Sequence, residues 1–434
     1  MPEKQRGVSE RPAGCCAQST SHPLHLGLRL FLPFAAGYFL SYLLRNVNAV
    51  IAPELTRELG ISAADLGLLT SAYLLTFSAF QLPLGILLDR YGPRRVEAVL
   101  LLIAASGSAW FALGASLGEL ALARAVIGLG VCACLMAAFK AFSMWFPIER
   151  LPSLYAAVMV AGGLGALTAT TPLAWAAPML GRQGLFLVLA VLAVLAAVGI
   201  CSTPDKPAAA AGGTLRQQLR ELGQVLASRE FWRYAPMTAT GLGNFLALQG
   251  LWAVPWLMQV GGHTREAAAF HMLLTTLAMV CGFLGTAVFI GPLRRRGLAP
   301  GRVMVMGNVA GLVVMFAIWW GVGNTRVLWF VLGLVFPLGN LAYAEITSRF
   351  APSLAGRVNA ALNLALFMGA FSLQWGYGVM LDSLQSVGWT TVDSHRTVFV
   401  TLLGLQSAGL GWYLWNRRQP ASAAPVSPKG ADSA

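Results

Sequence analysis

The sequence predicts an all-α membrane protein with twelve transmembrane helices arranged as two six-helix bundles. Three observations support this fold class. Of the 434 residues, 57% are hydrophobic and only 11% are charged, a composition too apolar for a soluble protein of this length. The apolar residues form runs of about 20 residues, the length that crosses a bilayer as a helix. A polar, basic segment near the middle of the chain divides these runs into two sets of six.

Apolar runs of spanning length, broken at charged or Gly/Pro-rich turns, define the spans that we number 1 to 12. They cover residues 28–51, 65–88, 96–115, 119–145, 153–177, 183–201, 233–258, 266–290, 301–321, 326–347, 355–381 and 396–416. We divide the chain accordingly into a cytoplasmic N-terminal tail (1–27), a first bundle (28–201), a cytoplasmic linker (202–232), a second bundle (233–416) and a cytoplasmic C-terminal tail (417–434). No room is left for a sizeable soluble domain, so any activity must lie within the helices.

The distribution of positive charge predicts which side of the membrane each loop occupies. If both tails are cytoplasmic, most of the 30 lysines and arginines also lie on that side. The positive-inside rule then predicts a multi-pass protein of the bacterial cytoplasmic (inner) membrane. The linker fits this orientation, because leucines at helical spacing among arginines in residues 215–229 predict an interfacial helix. The outer loops hold only Arg57, Arg182, Arg265, Arg326 and Arg396.

Composition also excludes several classes of function. The net charge of +13 comes from arginines in loops, and not from the basic face of a soluble fold that would bind nucleic acid. The six cysteines have no zinc or redox spacing, so we expect neither a metal site nor a disulfide framework. A membrane-embedded enzyme would need clustered histidines and acids, whereas we place only His271 and Glu345 well inside the spans. We therefore expect no catalytic residues and no cofactor.

The turn between spans 2 and 3 carries the most specific motif. An apolar run stops abruptly in Gly85-Ile-Leu-Leu-Asp89-Arg90-Tyr-Gly92-Pro-Arg94-Arg95, a tight, charged hairpin between two membrane helices. This motif is similar to the signature loop between helices 2 and 3 of the major facilitator superfamily of secondary transporters. In span 4, Arg124 with Gly128 and Gly130 resembles the helix-4 pattern of the same superfamily.

The two halves also resemble each other, as they do in that superfamily. Glycine and arginine landmarks after spans 2, 4, 8 and 10 recur at nearly one offset, which indicates a duplicated six-helix unit. Basic loops at alternate turns occur in any twelve-span protein, so coincidence remains the alternative. The paired landmarks are Gly92 with Gly297, Arg95 with Arg302, and Arg150 with Arg357.

The resemblance implies how the chain works. It implies two bundles that rock about a midplane site, exposing the site to each side in turn. It also implies that Asp89 caps the start of span 11, and that Arg90 and Arg94 bond to nearby carbonyl groups and to Glu149. In span 1, Tyr42, Arg45 and Pro53 loosely resemble the anion:cation symporter branch. Leu44 and Val47 depart from that branch, which tends to have Asp and Asn at these positions.

Span 1 presents the first candidate substrate residues. Tyr38, Ser41, Arg45 and Asn48 are spaced by three or four and therefore share one helix face. Arg124 falls at a depth similar to that of Arg45, and two guanidinium groups at one level suit a carboxylate or a phosphate. The alternative is that Arg124 is a scaffold or proton-relay arginine and Arg45 bonds to helix-end carbonyls. Asn244, Trp252 and Asn363 are expected to complete a polar cavity.

Lys140 and Glu345 are predicted to form a gate, since they lie at related positions near the cytoplasmic ends of spans 4 and 10. Our hypothesis is that their ion pair forms when the protein is open to the outside and breaks when it opens inward. The alternative is that Lys140 extends to the lipid headgroups while Glu345 pairs with Arg349. His271 and Glu345 are the titrating groups that we consider for coupling to protons.

Together these observations predict a secondary transporter that takes up a small organic anion, coupled to protons, as a monomer in the lipid bilayer. The rival within the same fold is an exporter of a drug or a siderophore-like metabolite. A large cavity lined by Trp252, Trp256 and Trp375 would favour that rival. A channel is disfavoured by the duplicated halves and by the absence of a filter-like segment.

Overall fold

The computed structural model describes residues 23–147, 150–205, 215–351 and 354–417. Within these ranges all regular secondary structure is helical, and ten helices are long and apolar enough to cross a membrane, by length and composition. The predicted all-α membrane fold is therefore confirmed. Most of the two predicted tails, the 206–214 part of the linker and Glu149 lie outside the described residues.

The helices are numbered in chain order. In the N-terminal half (residues 23–205) they are α1 (Pro23–Leu59), α2 (Ala63–Tyr91), α3 (Pro93–Leu113), α4 (Leu117–Val131), α5 (Cys134–Trp145), α6 (Leu151–Thr168) and α7 (Thr171–Cys201). The linker contains α8 (Leu215–Ala227). In the C-terminal half (residues 229–417) they are α9 (Arg229–Ala247), α10 (Ala253–Gln259), α11 (Arg265–Arg295), α12 (Pro300–Trp320), α13 (Thr325–Val335), α14 (Leu341–Thr347), α15 (Ala355–Ser386) and α16 (Thr391–Arg417).

Several predicted spans are interrupted helices. Span 4 is divided between α4 and α5, and span 5 between α6 and the start of α7. A π-helical turn, Leu248–Trp252, joins α9 to α10 within span 7, and a 3-10 turn, Phe336–Asn340, joins α13 to α14 within span 10. Span 6 is the later part of α7, which bends at Gly181, where φ is 61°. Glycine adopts this positive φ without a steric penalty.

The turn between α2 and α3 depends on a glycine and a proline. Gly92 has φ of 80° and donates its N–H to the carbonyl of Leu88, which ends α2. Pro93 takes the first position of α3, where no intrahelical N–H bond is needed. We name the end of the molecule that holds this turn the basic end, and the opposite end the far end. The basic residues beside the turn are Arg90, Arg94 and Arg95.

Each half has its own apolar core. Phe111 and Phe186 stack at 4.1 Å between ring centroids in the N-terminal half, while Trp256 and Phe399 pack at 4.3 Å in the C-terminal half. The linker helix α8 buries Val225 in a cluster of C-terminal residues. The linker helix therefore packs against the C-terminal half.

Glycines allow the closest helix contacts in the N-terminal half. A Cβ atom at Gly128 would overlap the backbone carbonyl of Tyr73 on α2, and one at Gly130 would overlap the backbone of Ala104 on α3. Small residues at such crossings let helix backbones approach, and packing of this kind holds helices together where lipid offers no hydrophobic driving force. The helix-4 glycines identified in the sequence thus bring α4 close to both neighbours.

The two halves meet tightly at the far end, where α2 packs against α15. The carboxylate of Asp382, near the end of α15, accepts hydrogen bonds from the backbone N–H groups of Ala63 (3.0 Å) and Ala64 (2.7 Å). One side chain thereby caps the start of a helix in the other half. Deeper in the same seam, Gln374 donates to the hydroxyl of Thr70 at 2.7 Å. The far end is therefore closed.

At the basic end the halves separate around a cavity of about 490 Å³. The cavity wall comes from the ends of α2 and α5 in one half, from α8, and from α14 and the start of α15 in the other. Residues that line it include Gln81, Gly85, Asp89, Lys140, Tyr343 and Asn363.

We predict that Gly128→Ala destabilises the protein by about 1–3 kcal/mol, because the added methyl group overpacks the contact with α2. The midpoint temperature of unfolding in detergent should fall. Gly411→Ala is the matched control, since a Cβ atom at that position meets nothing within 4 Å. Equal midpoints for the two variants would contradict the close α2–α4 contact.

We predict that Asp382→Ala loosens the far end. Loss of a cap worth about 1 kcal/mol should raise the population open at that end roughly fivefold. The measurement is the distance between spin labels at Leu113→Cys and Val387→Cys, which are 71% exposed at the far end, in a background without the native cysteines. Longer distances should become more populated.

The matched control for the spin-label experiment is Glu119→Ala. Glu119 also binds backbone N–H groups, those of Ala115 and Ser116, but within one half. This control should leave the distances unchanged. If Asp382→Ala also leaves them unchanged, the carboxylate does not hold the halves together.

Candidate functional site

Arg45 of α1 lies between the halves, surrounded by aromatic rings. Its guanidinium carbon is 4.7 Å from the ring centre of Tyr42, 4.9 Å from that of Phe77 and 5.3 Å from that of Phe367. Phe77 belongs to α2 and Phe367 to α15, so both halves contribute to the site. Contacts of this kind stabilise a cation that has lost part of its water.

The charge of Arg45 has no acidic partner. None of the ion pairs formed by the described residues involves Arg45, and its buried Nε atom has no hydrogen-bond acceptor. The side chain is half-buried. The guanidinium does bond to the side chain of Tyr73, and its role in binding an anion stays a prediction.

Arg45 lines a small pocket with Thr70, Tyr73 and Gln374 and is not among the residues that line the basic-end cavity. Gln81 and Asn363 line that cavity, and Phe77 and Phe367 follow one helical turn deeper, about 6 Å along α2 and α15. The Phe77 and Phe367 rings are 4.7 Å apart. An anion that enters from the basic end would therefore have to pass these two rings to reach Arg45.

Arg124 is placed differently from Arg45. It is 1% exposed, its Nη1 donates to the carbonyl of Leu44 at 2.9 Å, and its guanidinium carbon lies 4.9 Å from the ring centre of Tyr73. Because Leu44 immediately precedes Arg45, this bond ties α4 to the part of α1 that presents Arg45. The geometry fits the scaffold alternative for Arg124, and a direct contact with substrate stays a prediction.

The other predicted residues of α1 face the N-terminal half. Tyr38 donates to the sulfur of Met159, and Ser41 donates to the carbonyl of Val131. Asn48 is 1% exposed and neither polar atom of its amide has a hydrogen-bond partner among the described residues. A buried, unsatisfied amide costs about 1–3 kcal/mol, so Asn48 is available to a polar ligand that reaches it.

The predicted residues of the C-terminal half do not converge on one point. Asn244 donates to Gln406 at 3.1 Å within its own half. Trp252 donates to the carbonyl of Gln374 at 2.8 Å near the far end, and its ring stacks on Tyr377. Asn363 accepts a hydrogen bond from Tyr343 at 3.0 Å and is the one of the three that lines the cavity.

The predicted gate pair is absent from this conformation. Lys140 pairs with Asp89 of its own half, and Glu345 accepts a hydrogen bond from the N–H of Gly301 at 2.8 Å. No ion pair joins Glu345 to Arg349 in the described part of the chain. Lys140 and Glu345 thus each have another partner here.

The signature loop also differs in part from what the resemblance implies. Asp89 pairs with Lys140, while α15 begins without a side-chain cap, so Asp89 does not cap span 11 here. Arg94 does bond to a carbonyl, that of Cys201, and it lies near Asp205 together with Arg95. Arg90 lies 5.3 Å from the ring centre of Tyr91.

Two acids in the structure have roles that the sequence did not indicate. Asp382 joins the halves at the far end, as described above. Glu97 of α3, at the start of predicted span 3, is completely buried, and no N–H or O–H group of the described residues donates to its carboxyl oxygens. Both carboxylates lie near the ends of apolar runs, where a sequence alone suggests an exposed charge.

Metal binding has no support in the described residues. They contain no group of three or more histidines, cysteines, aspartates or glutamates placed to hold an ion. His271 is 1% exposed, with its Nδ1 2.6 Å from the carbonyl of Ala267.

Comparison with known proteins agrees with this geometry. The family model described as the Major Facilitator Superfamily matches residues 34–373. The hexuronate transporter of Escherichia coli (strain K12) is 27% identical over 270 residues, which cover 57% of this chain and 62% of that protein, less than two thirds of its length. The probable L-galactonate transporter of the same strain is 24% identical over 441 residues, which cover 96% of this chain and 95% of that protein.

Among solved structures, the chain resembles the crystal structure of a bacterial homologue of the human lysosomal transporter Spinster. The TM-score is 0.71 at 16% identity, and the match covers 92% of this chain and 98% of the other. At this identity the likeness shows the fold alone. Because the family model matches well over half of the residues and the fold agrees, this chain belongs to the major facilitator superfamily.

Proposed function

We propose that this protein imports a small organic anion of the sugar-acid class across the bacterial cytoplasmic membrane, by alternating access coupled to protons. The single observation that carries the proposal is Arg45, a guanidinium without an acidic partner among the described residues that lies between one aromatic ring of each half. Guanidinium groups bind carboxylates through two parallel hydrogen bonds. The relatives named above as hexuronate and probable L-galactonate transporters also act on carboxylates, which supports the anion assignment.

Unsatisfied polar atoms near Arg45 support a hydroxylated substrate. Asn48, one turn along α1, has an amide without a partner among the described residues. The cavity wall adds Gln81 and Asn363. A sugar acid would offer its carboxylate to Arg45 and hydroxyl groups to these amides, removing part of their desolvation penalty.

We assign the basic end to the cytoplasm, and with it both termini. The support is the concentration of arginines around the α2–α3 turn and in the segment 294–296, which the positive-inside rule places in the cytoplasm. The cavity then opens inward, and the Asp382 contact closes the outer side. This conformation would be the one that releases an imported substrate.

The gate would work by an exchange of partners at the basic end. When that end closes, Lys140 leaves Asp89 for Glu345 of the other half, and Asp89 becomes free to cap the start of α15. Both predicted contacts are missing in the open cavity, and both would form together on closure. The Lys140–Glu345 pair and the cap formed by Asp89 would each join the two halves. Closure would therefore replace the Lys140–Asp89 bond within one half by two contacts between the halves.

The second candidate, export of an apolar or amphipathic compound, has one observation in its favour. An apolar pocket of about 170 Å³ lies between α6 and α11, beside the ring of Tyr42. A screen in liposomes separates the two functions. Radiolabelled carboxylates, phosphates and a cationic dye are tested with and without a pH gradient, and movement of the dye alone would overturn import of an anion.

We predict that Arg45→Gln weakens binding of galacturonate by about 10- to 100-fold. A hydrogen bond to a charged group contributes about 1.5–3 kcal/mol, and each 1.4 kcal/mol is tenfold in Kd. Arg45→Lys should bind with intermediate affinity, because it keeps the charge but loses the fork geometry. Calorimetry on purified protein measures both constants.

Arg326→Gln is the control for this experiment, since it removes an exposed arginine at the far end. It should bind galacturonate like the unsubstituted protein. Unchanged affinity in Arg45→Gln, with binding intact in the control, would exclude Arg45 from the substrate site.

We predict that the charge swap Lys140→Glu with Glu345→Lys transports better than either single substitution. Each single variant places like charges on the two partners and opposes closure of the basic end, whereas the double variant restores attraction. Initial rates of uptake in liposomes give the comparison. A double variant no faster than the single variants would contradict the proposed pair.

A further inference from the structure

Glu97 occupies an unusual place in the N-terminal half. It lies one turn into α3 and is 0% exposed. Its carboxyl group packs against the backbone of Gly37 on α1, where a Cβ atom would overlap Oε1. It also lies beside the thiol of Cys134 on α5. Three helices therefore enclose one carboxyl group.

The surroundings of Glu97 offer little compensation for a negative charge. The neighbouring polar group is the thiol of Cys134, which is a weak donor, and no N–H or O–H group of the described residues donates to either carboxyl oxygen. Arg94 of α3 bonds to Cys201, and Lys140 of α5 pairs with Asp89. An ionised carboxylate without a partner in an apolar interior is strongly disfavoured, and such groups take up a proton instead.

A series of neighbouring side chains connects Glu97 with Arg45. Cys134 interacts with Glu97 on one side and with Tyr38 of α1 on the other. The ring of Tyr38 lies 5.1 Å from that of Tyr42, which in turn lies 4.7 Å from the Arg45 guanidinium. Beyond Cys134 lies a second thiol, that of Cys132. The carboxyl group thus touches the same helix that presents the substrate arginine.

The other titratable groups considered in the spans have at least one partner. Glu345 accepts a backbone hydrogen bond and Asp89 pairs with Lys140. His271 bonds to a backbone carbonyl through Nδ1, while its Nε2 has no partner among the described residues. Among the acids of the described residues, Glu97 alone is fully buried. A proton-coupled transporter needs a group inside the spans that binds and releases a proton, and the seam of α1, α3 and α5 encloses a carboxyl group that can do so.

We propose that Glu97 is the side chain that carries the coupling proton. The inference rests on the proposed function, since it names the group that couples anion movement to protons. When the seam opens to water on the outer side, the carboxylate gains one proton and an O–H bond forms. When water reaches it from the basic end, that O–H bond breaks and the proton passes to water. No electrons are transferred.

The first test measures protonation directly and needs no substrate. The infrared spectrum of the purified protein should contain a carbonyl stretching band of a protonated, buried carboxyl group, and Glu97→Gln should remove it. Glu266→Gln is the control, because Glu266 is exposed at the far end and its loss should leave the band in place. A band that persists in Glu97→Gln overturns the proposal.

The second test measures coupling in liposomes with galacturonate. Glu97→Gln should lose accumulation driven by a pH gradient, while exchange of external for internal galacturonate continues within about twofold of the unsubstituted rate. Accumulation that survives in the variant, or loss of exchange together with accumulation in a variant of normal stability, would overturn the assignment. If the unsubstituted protein neither binds nor moves galacturonate, the anion assignment is wrong, and protonation of Glu97 is still decided by the infrared band.

Discussion

The packing of α2 against α15 is the contact on which the arrangement of the two halves depends. At the far end the Asp382 carboxylate binds the first N–H groups of α2, and Gln374 donates to Thr70 below it. The same two helices diverge at the basic end and form opposite walls of the cavity. The tilt of α2 relative to α15 therefore closes the far end and opens the basic end at the same time.

The lipid bilayer limits how many polar side chains in the spans can be left free to bind a ligand or a proton. Lipid cannot hydrogen-bond to buried groups, so each polar side chain in a span must find a partner within the protein. Most do, as Arg124 does with the carbonyl of Leu44. Among the described residues, neither Arg45 nor Glu97 forms an ion pair. Arg124 forms none either, so Arg45 is distinguished by its position between the halves and Glu97 by being the fully buried acid.

Much of the fold followed from sequence because it depends on local patterns. Run lengths predicted the helices, and the Gly92 turn with its arginines predicted the family. The partners of side chains did not follow, because they depend on distances across helices. Lys140 reaches Asp89 and not Glu345 because the halves stand apart at the basic end. The burial of Glu97 and the contact of Asp382 with the other half did not follow from the sequence. A charge near the end of an apolar run is expected to be exposed unless a neighbouring helix covers it.

The chemistry of the Asp382 contact determines how the seal at the far end responds to salt. This contact joins a half-buried carboxylate to two backbone amides over short distances, whereas the contact at the basic end is an ion pair between a lysine and an aspartate. Dissolved ions screen exposed charges more than partly buried contacts. Because the Asp382 contact is partly buried and contains only one charged group, added salt should weaken the far-end seal less than it would weaken an exposed ion pair.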